Sequence, residues 1–260
     1  MNQMTTTDAT STVSLGGFPV QSLTAGLLSK KLEQAIDDDQ QISLFFANTN
    51  FIVKCQDIRE SLLKSNCVIT NDGIGLDIAS LLLHRKKFPE NLNGTDFVPQ
   101  FLIDIKHKAR VFLLGAKPGI AERAAQNLQE HFGINVVGTR DGYAQMHDID
   151  KVINDINTCG ANVVIVAMGN PLQEKWILDH QHKLHAHIFM GVGALIDFLA
   201  GDKPRAPSLI RKFRLEWLYR LSLEPTRLMR RYTIDIGVFL ALCINAERNK
   251  SKWAEKNIGT

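Results

Sequence analysis

Short apolar runs alternate along the chain with segments in which apolar residues recur every three or four positions. The runs Ile42 to Ala47, Cys67 to Thr70, Arg110 to Leu114, Ile134 to Val137, Val163 to Met168 and Ile188 to Met190 read as strands. The segments Leu27 to Asp37, Phe51 to Lys64, Leu76 to His84, Asp96 to Lys108, Ile120 to Phe132, Ile149 to Thr158 and Gln173 to His182 read as helices. Strand and helix in turn mark βα units, which lay their strands side by side in a mainly parallel sheet. A run without a polar residue, such as Val163-Val164-Ile165-Val166-Ala167, suits a strand covered on both faces. The expected fold class is therefore α/β: a mainly parallel sheet flanked by helices.

The pattern changes near Gly201. Pro204 and Pro207 interrupt it, and helical spacing with a basic face follows. From Lys203 to Arg231 nine Lys and Arg stand against two Glu, whereas the whole chain of 260 residues has a formal net charge of only +3. This divides the chain into a core over 15–200 and a basic helical C-terminal appendage over 201–260. The near-neutral total offers no electrostatic case for nucleic acid. Residues 1–14, rich in Thr and Ser, lack the basic and apolar regions of a signal peptide and are expected to be disordered. Cys55, Cys67, Cys159 and Cys243 are widely spaced and form no CxxC pair, which fits reduced thiols in a cytosolic protein. No run of 18 or more apolar residues occurs, so no transmembrane helix is expected.

Candidate chemistry gathers at the corners where strands end and helices begin, the edge at which open α/β sheets bind ligands. Asn71-Asp72-Gly73-Ile74-Gly75 puts a carboxylate at such a corner between two glycines. Asp-Gly is also ordinary turn chemistry, and an Asp there can simply cap the helix behind it. Glycine corners recur at Gly115 and Gly169, where backbone N–H groups suit a diphosphate. Neither GxGxxG nor GxxxxGK[ST] occurs, which counts against an NAD(P) oxidoreductase and against an ATP or GTP site. In Gly169-Asn170-Pro171-Leu172-Gln173-Glu174, Gln173 and Glu174 fall in a first helical turn, and the Gln173 amide suits a sugar hydroxyl or a base edge. Trp176 fits core packing better than a ligand platform. His180, His182, His185 and His187 lack the spacing of a zinc site, so no metal is expected. Arg220, Arg227 and Arg230 share one face if their helix is continuous, although Pro225 can break it. Convergent arginines suit phosphate. The short apolar stretch from Ile234 to Ile244 beside them points to a membrane surface, with a packed terminal helix as the alternative.

Together these motifs resemble the WecG/TagA/CpsF family of bacterial glycosyltransferases. The likeness runs from about Asn48 to Tyr232 and includes Asn93-Gly94-Thr95-Asp96, Val111 to Gly115, Gly138 to Tyr143, Gly191-Val192-Gly193 and Arg205-Ala206-Pro207. It implies a Rossmann-like core whose appendage completes the site and meets the inner leaflet of the cytoplasmic membrane. It implies transfer, with inversion, from a UDP-sugar to a polyprenyl-diphosphate-linked sugar, without cofactor or metal. Asp72 takes the place of the general base. The implied substrate contacts are Asn48, Gly73, Asn93, Thr95, Asp96, Gly115, Gly169, Gln173, Gly191, Arg220, Arg227 and Arg230. Two positions depart from the family pattern: Phe46 stands where many members have Thr, and Asn91 where many have Arg. Both departures turn the expected donor away from an acetamido or uronate sugar, and Ala47-Asn48-Thr49-Asn50 with Asn91-Leu92-Asn93-Gly94-Thr95-Asp96 resembles the GumM-like branch, which adds glucose in exopolysaccharide synthesis. N-acetylmannosamine or its uronate is the alternative. An inactive membrane-surface scaffold of a polysaccharide assembly complex is the rival outside enzymes. The oligomeric state is open, a homo-oligomer included.

Overall fold

In the computed structural model, which describes residues 11–207, 209–210 and 215–258, eight strands form a single sheet. They are β1 (Ser11–Leu15), β2 (Phe18–Ser22), β3 (Ile42–Ala47), β4 (Cys67–Asn71), β5 (Val111–Gly115), β6 (Val136–Arg140), β7 (Val163–Ala167) and β8 (Ile188–Gly191). Their order is β1-β2-β4-β3-β8-β7-β5-β6, and every neighbouring pair is parallel except β1 with β2. Alternation along the central strands sends side chains to two cores. Val163, Ile165 and Ala167 face one layer of helices, while Val164 and Val166 face the other.

The first layer holds α1 (Ala25–Asp37), α5 (Gly94–Asp104), α6 (Ile120–Phe132) and α9 (Leu195–Leu199). The second holds α2 (Thr49–Lys54), α3 (Arg59–Lys64), α4 (Ile74–His84), α7 (Ile149–Thr158) and α8 (Leu172–His180). The chain ends in α10 (Glu216–Leu223), α11 (Pro225–Tyr232) and α12 (Ile234–Ile258). The expected α/β architecture is thus the observed one.

Two expectations need correction. Residues 11–14 belong to β1, so disorder over the whole of 1–14 does not hold; residues 1–10 lie outside the described residues. The signal was present, since Val13, Leu15, Phe18 and Val20 alternate with more exposed residues and are buried, but the Ser/Thr content masked it. The single helix over Phe51 to Lys64 is two helices parted by a 3-10 turn at Gln56–Ile58. The appendage expected over 201–260 packs closely on the core. Its α12 buries Phe239 and Cys243 in the second core and packs on α2, α4 and β1. Cutting the chain at Gly201 would strip that cover, and the Phe239 side chain alone is worth about 1.5–3 kcal/mol.

Parallel strands end at one edge, and all the nominated corners lie there. Between β3 and β8 the chain leaves onto opposite faces, into α2 and α9, which opens a crevice of the kind that holds ligands in such sheets. Gly115 closes the neighbouring part of this edge. It sits at φ +121°, and a Cβ there would stand 2.4 Å from the Ala167 carbonyl oxygen. Gly115→Ala is therefore expected to cost about 2–4 kcal/mol, from a forbidden backbone angle and a clash with immovable backbone. A thermal melt shifted by less than about 2 °C would contradict this.

Candidate active site

Asp72 directly follows β4, and its N–H donates to the Ala47 carbonyl at 2.7 Å, which ties the two strand ends together. The helix behind it is capped by Gly73 at φ +92°, with no side-chain cap hydrogen bond. The Asp72 carboxylate is therefore not spent on the helix, and the simple capping reading fails. Its Oδ2 accepts instead from the Asn48 amide at 3.3 Å. Asn48 serves three partners at once. Its Oδ1 caps α2 through Phe51 N–H at 3.1 Å and accepts from Arg231 Nη2 at 3.2 Å, while its Nδ2 faces the carboxylate.

Charge at Asp72 is set by opposing effects. Enclosure by protein raises its pKa from 3.8 to about 6, whereas the Asn48 hydrogen bond and the nearby Arg220 and Arg231 pull it down, and Glu216 pushes it up. The result is a carboxylate that is mostly ionised at neutral pH yet binds a proton well, the property a general base needs. Arg220 pairs with Glu216 and lays its guanidinium over the Phe198 ring, 5.0 Å from the centroid. Beside the carboxylate, Gly73 donates its N–H to Asn91 Oδ1 at 2.7 Å, and a Cβ on Gly73 would meet no atom within 4 Å. On the far side of Asn91 a groove of about 500 Å³ runs between α1 and α5.

Gly169 and Gln173 meet at the next corners along the edge. Gln173 is buried, and its Oε1 accepts from the N–H groups of Gly169 (3.2 Å) and Gly193 (2.9 Å). Gly191 leaves room for that side chain, since a Cβ there would lie 3.1 Å from Gln173 Nε2. Glu174, enclosed completely, accepts from Gln173 Nε2 and Asn170 Nδ2; burial raises its pKa to about 7 against the pull of these bonds.

A family model described as "Glycosyl transferase WecG/TagA/CpsF family" matches residues 13–253. The chain belongs to this family. A relative from Bacillus subtilis (strain 168), an "N-acetylglucosaminyldiphosphoundecaprenol N-acetyl-beta-D-mannosaminyltransferase", is 30% identical over 225 residues, which cover 84% of this chain and 86% of the relative.

Within this glycosyltransferase the nominated residues fall into separate groups. Asn48, Asp72, Gly73 and Arg220 stand together. Asn93 is occupied as the cap of α5, accepting from Asp96 N–H at 2.9 Å and donating to Asp96 Oδ2 at 2.8 Å. Asp96 also pairs with Arg205, which fastens the start of the appendage to the core. Thr95 lies in the same first turn, partly exposed. Gly115, Gly191 and Gln173 pack or brace corners of the edge. The shared arginine face is corrected: the helix breaks at Glu224–Pro225, which resets its phase. Arg230 is exposed and Arg231 turns inward to Asn48, while the Arg227 side chain lies outside the described residues. Sequence reasoning missed Arg231, Glu216 and Arg205, and it left Glu174 without a role. Only the adjacency of Glu174 to Gln173 was there to find it.

Proposed function

We propose that this protein transfers a sugar from a UDP-sugar to a polyprenyl-diphosphate-linked sugar, with Asp72 as general base. The observation that carries this reading is the Asp72 carboxylate itself: uncapped, tuned to about 6, and approached by two arginines from the appendage. In the proposed step Asp72 takes the proton of an acceptor hydroxyl as its oxygen bonds to the donor's anomeric carbon. The bond from that carbon to the UDP oxygen breaks on the opposite face, so configuration inverts. Arg220 and Arg231 meet the charge that grows on the leaving diphosphate. No step in this scheme calls for a metal or a cofactor. Exposed Leu218, Leu223, Met229 and Ile234, with Arg230 among them, support a membrane-facing appendage at the inner leaflet. Among the described residues no helix is long and apolar enough to cross a membrane.

Two donors compete. Glucose rests on the departures at Phe46 and Asn91 and on the likeness of the runs 47–50 and 91–96 to the GumM-like branch. Phe46 is buried against Phe97 and fills the space beside Gly94, which gives it a packing role and weakens its weight in the choice of donor. The activity for which the Bacillus subtilis relative is named favours N-acetylmannosamine. A panel of UDP-sugars with short prenyl-diphosphate sugar acceptors, read by UDP release, separates them. One donor is expected to turn over, and only when the lipid-linked acceptor is present. No release with any donor would reject the transferase reading, and loss of UDP binding as well would favour the scaffold.

A further inference from the structure

We infer that Glu174 is a positioning residue that locks three corners of the catalytic edge in register, a role that rests on the transferase reading above. Its carboxylate is wholly enclosed and is not among the groups that act on Asp72. Burying an ionisable group without full pairing is costly, so its retention needs a reason. Oε1 accepts from Asn170 Nδ2 at 2.6 Å and from Gln173 Nε2 at 2.8 Å. Oε2 is buried with no hydrogen-bond partner among the described residues.

Oε1 is an acceptor whether the group is ionised or carries a proton on Oε2, so both amides turn their NH₂ groups toward it. That leaves their oxygens pointing the other way, where each finds a donor on a different corner. Gln173 Oε1 takes the N–H groups of Gly169 and Gly193, joining the end of β7 to the end of β8. Asn170 Oδ1 takes Asn50 Nδ2 at 3.2 Å, joining the end of β7 to the start of α2. Asn50 lies two residues beyond Asn48, whose amide holds Asp72 and Arg231. One buried acceptor thus decides the orientation of two amides, and the two amides set the spacing of the β3, β7 and β8 corners. The group sits behind the crevice as a fixed frame, while Asp72 and the arginines work in front of it.

The test is Glu174→Met, which keeps volume and removes the acceptor, set beside Glu174→Gln, which keeps one acceptor oxygen. In Glu174→Met, kcat per folded molecule is expected to fall about 10–100-fold through misalignment, with KM for the UDP-sugar changed less than about threefold. Glu174→Gln is expected to recover most of that loss. The side-chain NH₂ resonances of Asn170 and Gln173 should move and lose exchange protection in Glu174→Met, a readout independent of turnover. Should Glu174→Met fail to fold, Asn50→Ala cuts only the link to the β3 corner and is expected to lower kcat in the same sense. Normal kcat in the folded variants, a loss confined to KM, or unchanged amide resonances would each overturn the positioning role. A parent protein that releases no UDP with any donor would instead count against the transferase reading, while the amide resonances still judge the lock.

Discussion

Asp72→Asn is expected to lower turnover by about 10²–10⁴-fold, the usual worth of a positioned base, while making the protein more stable at neutral pH. The two effects share one cause. Asn keeps the shape and can still meet Asn48, but it cannot take a proton from an acceptor hydroxyl. The folded protein holds the Asp72 proton more tightly than an unfolded chain does, with a pKa of about 6 against an ordinary 3.8. The resulting stability is fully present below pH 3.8 and is lost as pH rises through about 6. Above that range the ionised carboxylate costs at most about 3 kcal/mol, an upper limit because Asp72 keeps part of its surface in water. The Asn variant escapes this cost, so its melting temperature should rise by several degrees at pH 7.5 and not at all near pH 3.5. For the parent enzyme the same pKa predicts an acid limb in kcat/KM near pH 6. Circular dichroism melts and UDP-release rates on one preparation check all three. Turnover within a factor of about ten of the parent would remove Asp72 from the role of base.

Arg231→Ala is expected to cut kcat/KM about 10–100-fold and to move the acid limb above pH 6. Arg231 attracts the ionised form of Asp72 and hydrogen-bonds Asn48, which in turn holds the carboxylate. Removing its charge makes Asp72 harder to ionise, so more base is needed to reach full activity. Arg231→Lys returns the charge without the planar fork, and should restore the limb more fully than the rate. Arg230→Ala, one residue away on the exposed side, should leave the pH profile in place. Equal effects at 230 and 231 would mean that the appendage acts only through its net charge. Point changes test the appendage better than truncation, because α12 buries Phe239 and Cys243 in the core that carries the site.

Much of the fold was legible in the chain itself. Helices over Ile120–Phe132 and Ile149–Thr158 fall where periodicity places them, because strong amphipathic spacing reports local geometry. The β1–β2 hairpin was not, since five-residue strands with Ser and Thr on their open side carry little composition signal. The site divides in the same way. Asp72 could be nominated because it stands at the end of an apolar strand, and Asn48 because of the family likeness. Asn93 and Asp96, equally conspicuous as a motif, turn out to serve a helix start and an ion pair.

The sequence by itself determined a parallel α/β sheet, the edge at which its chemistry lies and the family to which its motifs point. Periodicity and corner residues are local properties, and neighbours along the chain suffice to set them. Only the tertiary structure decided that Asp72 is free of its helix, that Arg231 and not Arg230 turns inward to Asn48, and that Gln173 joins the ends of β7 and β8. Those outcomes depend on where segments far apart in the chain meet. A helix advances about 100° per residue, so the break at Pro225 that resets its phase exchanges an inward arginine for an outward one.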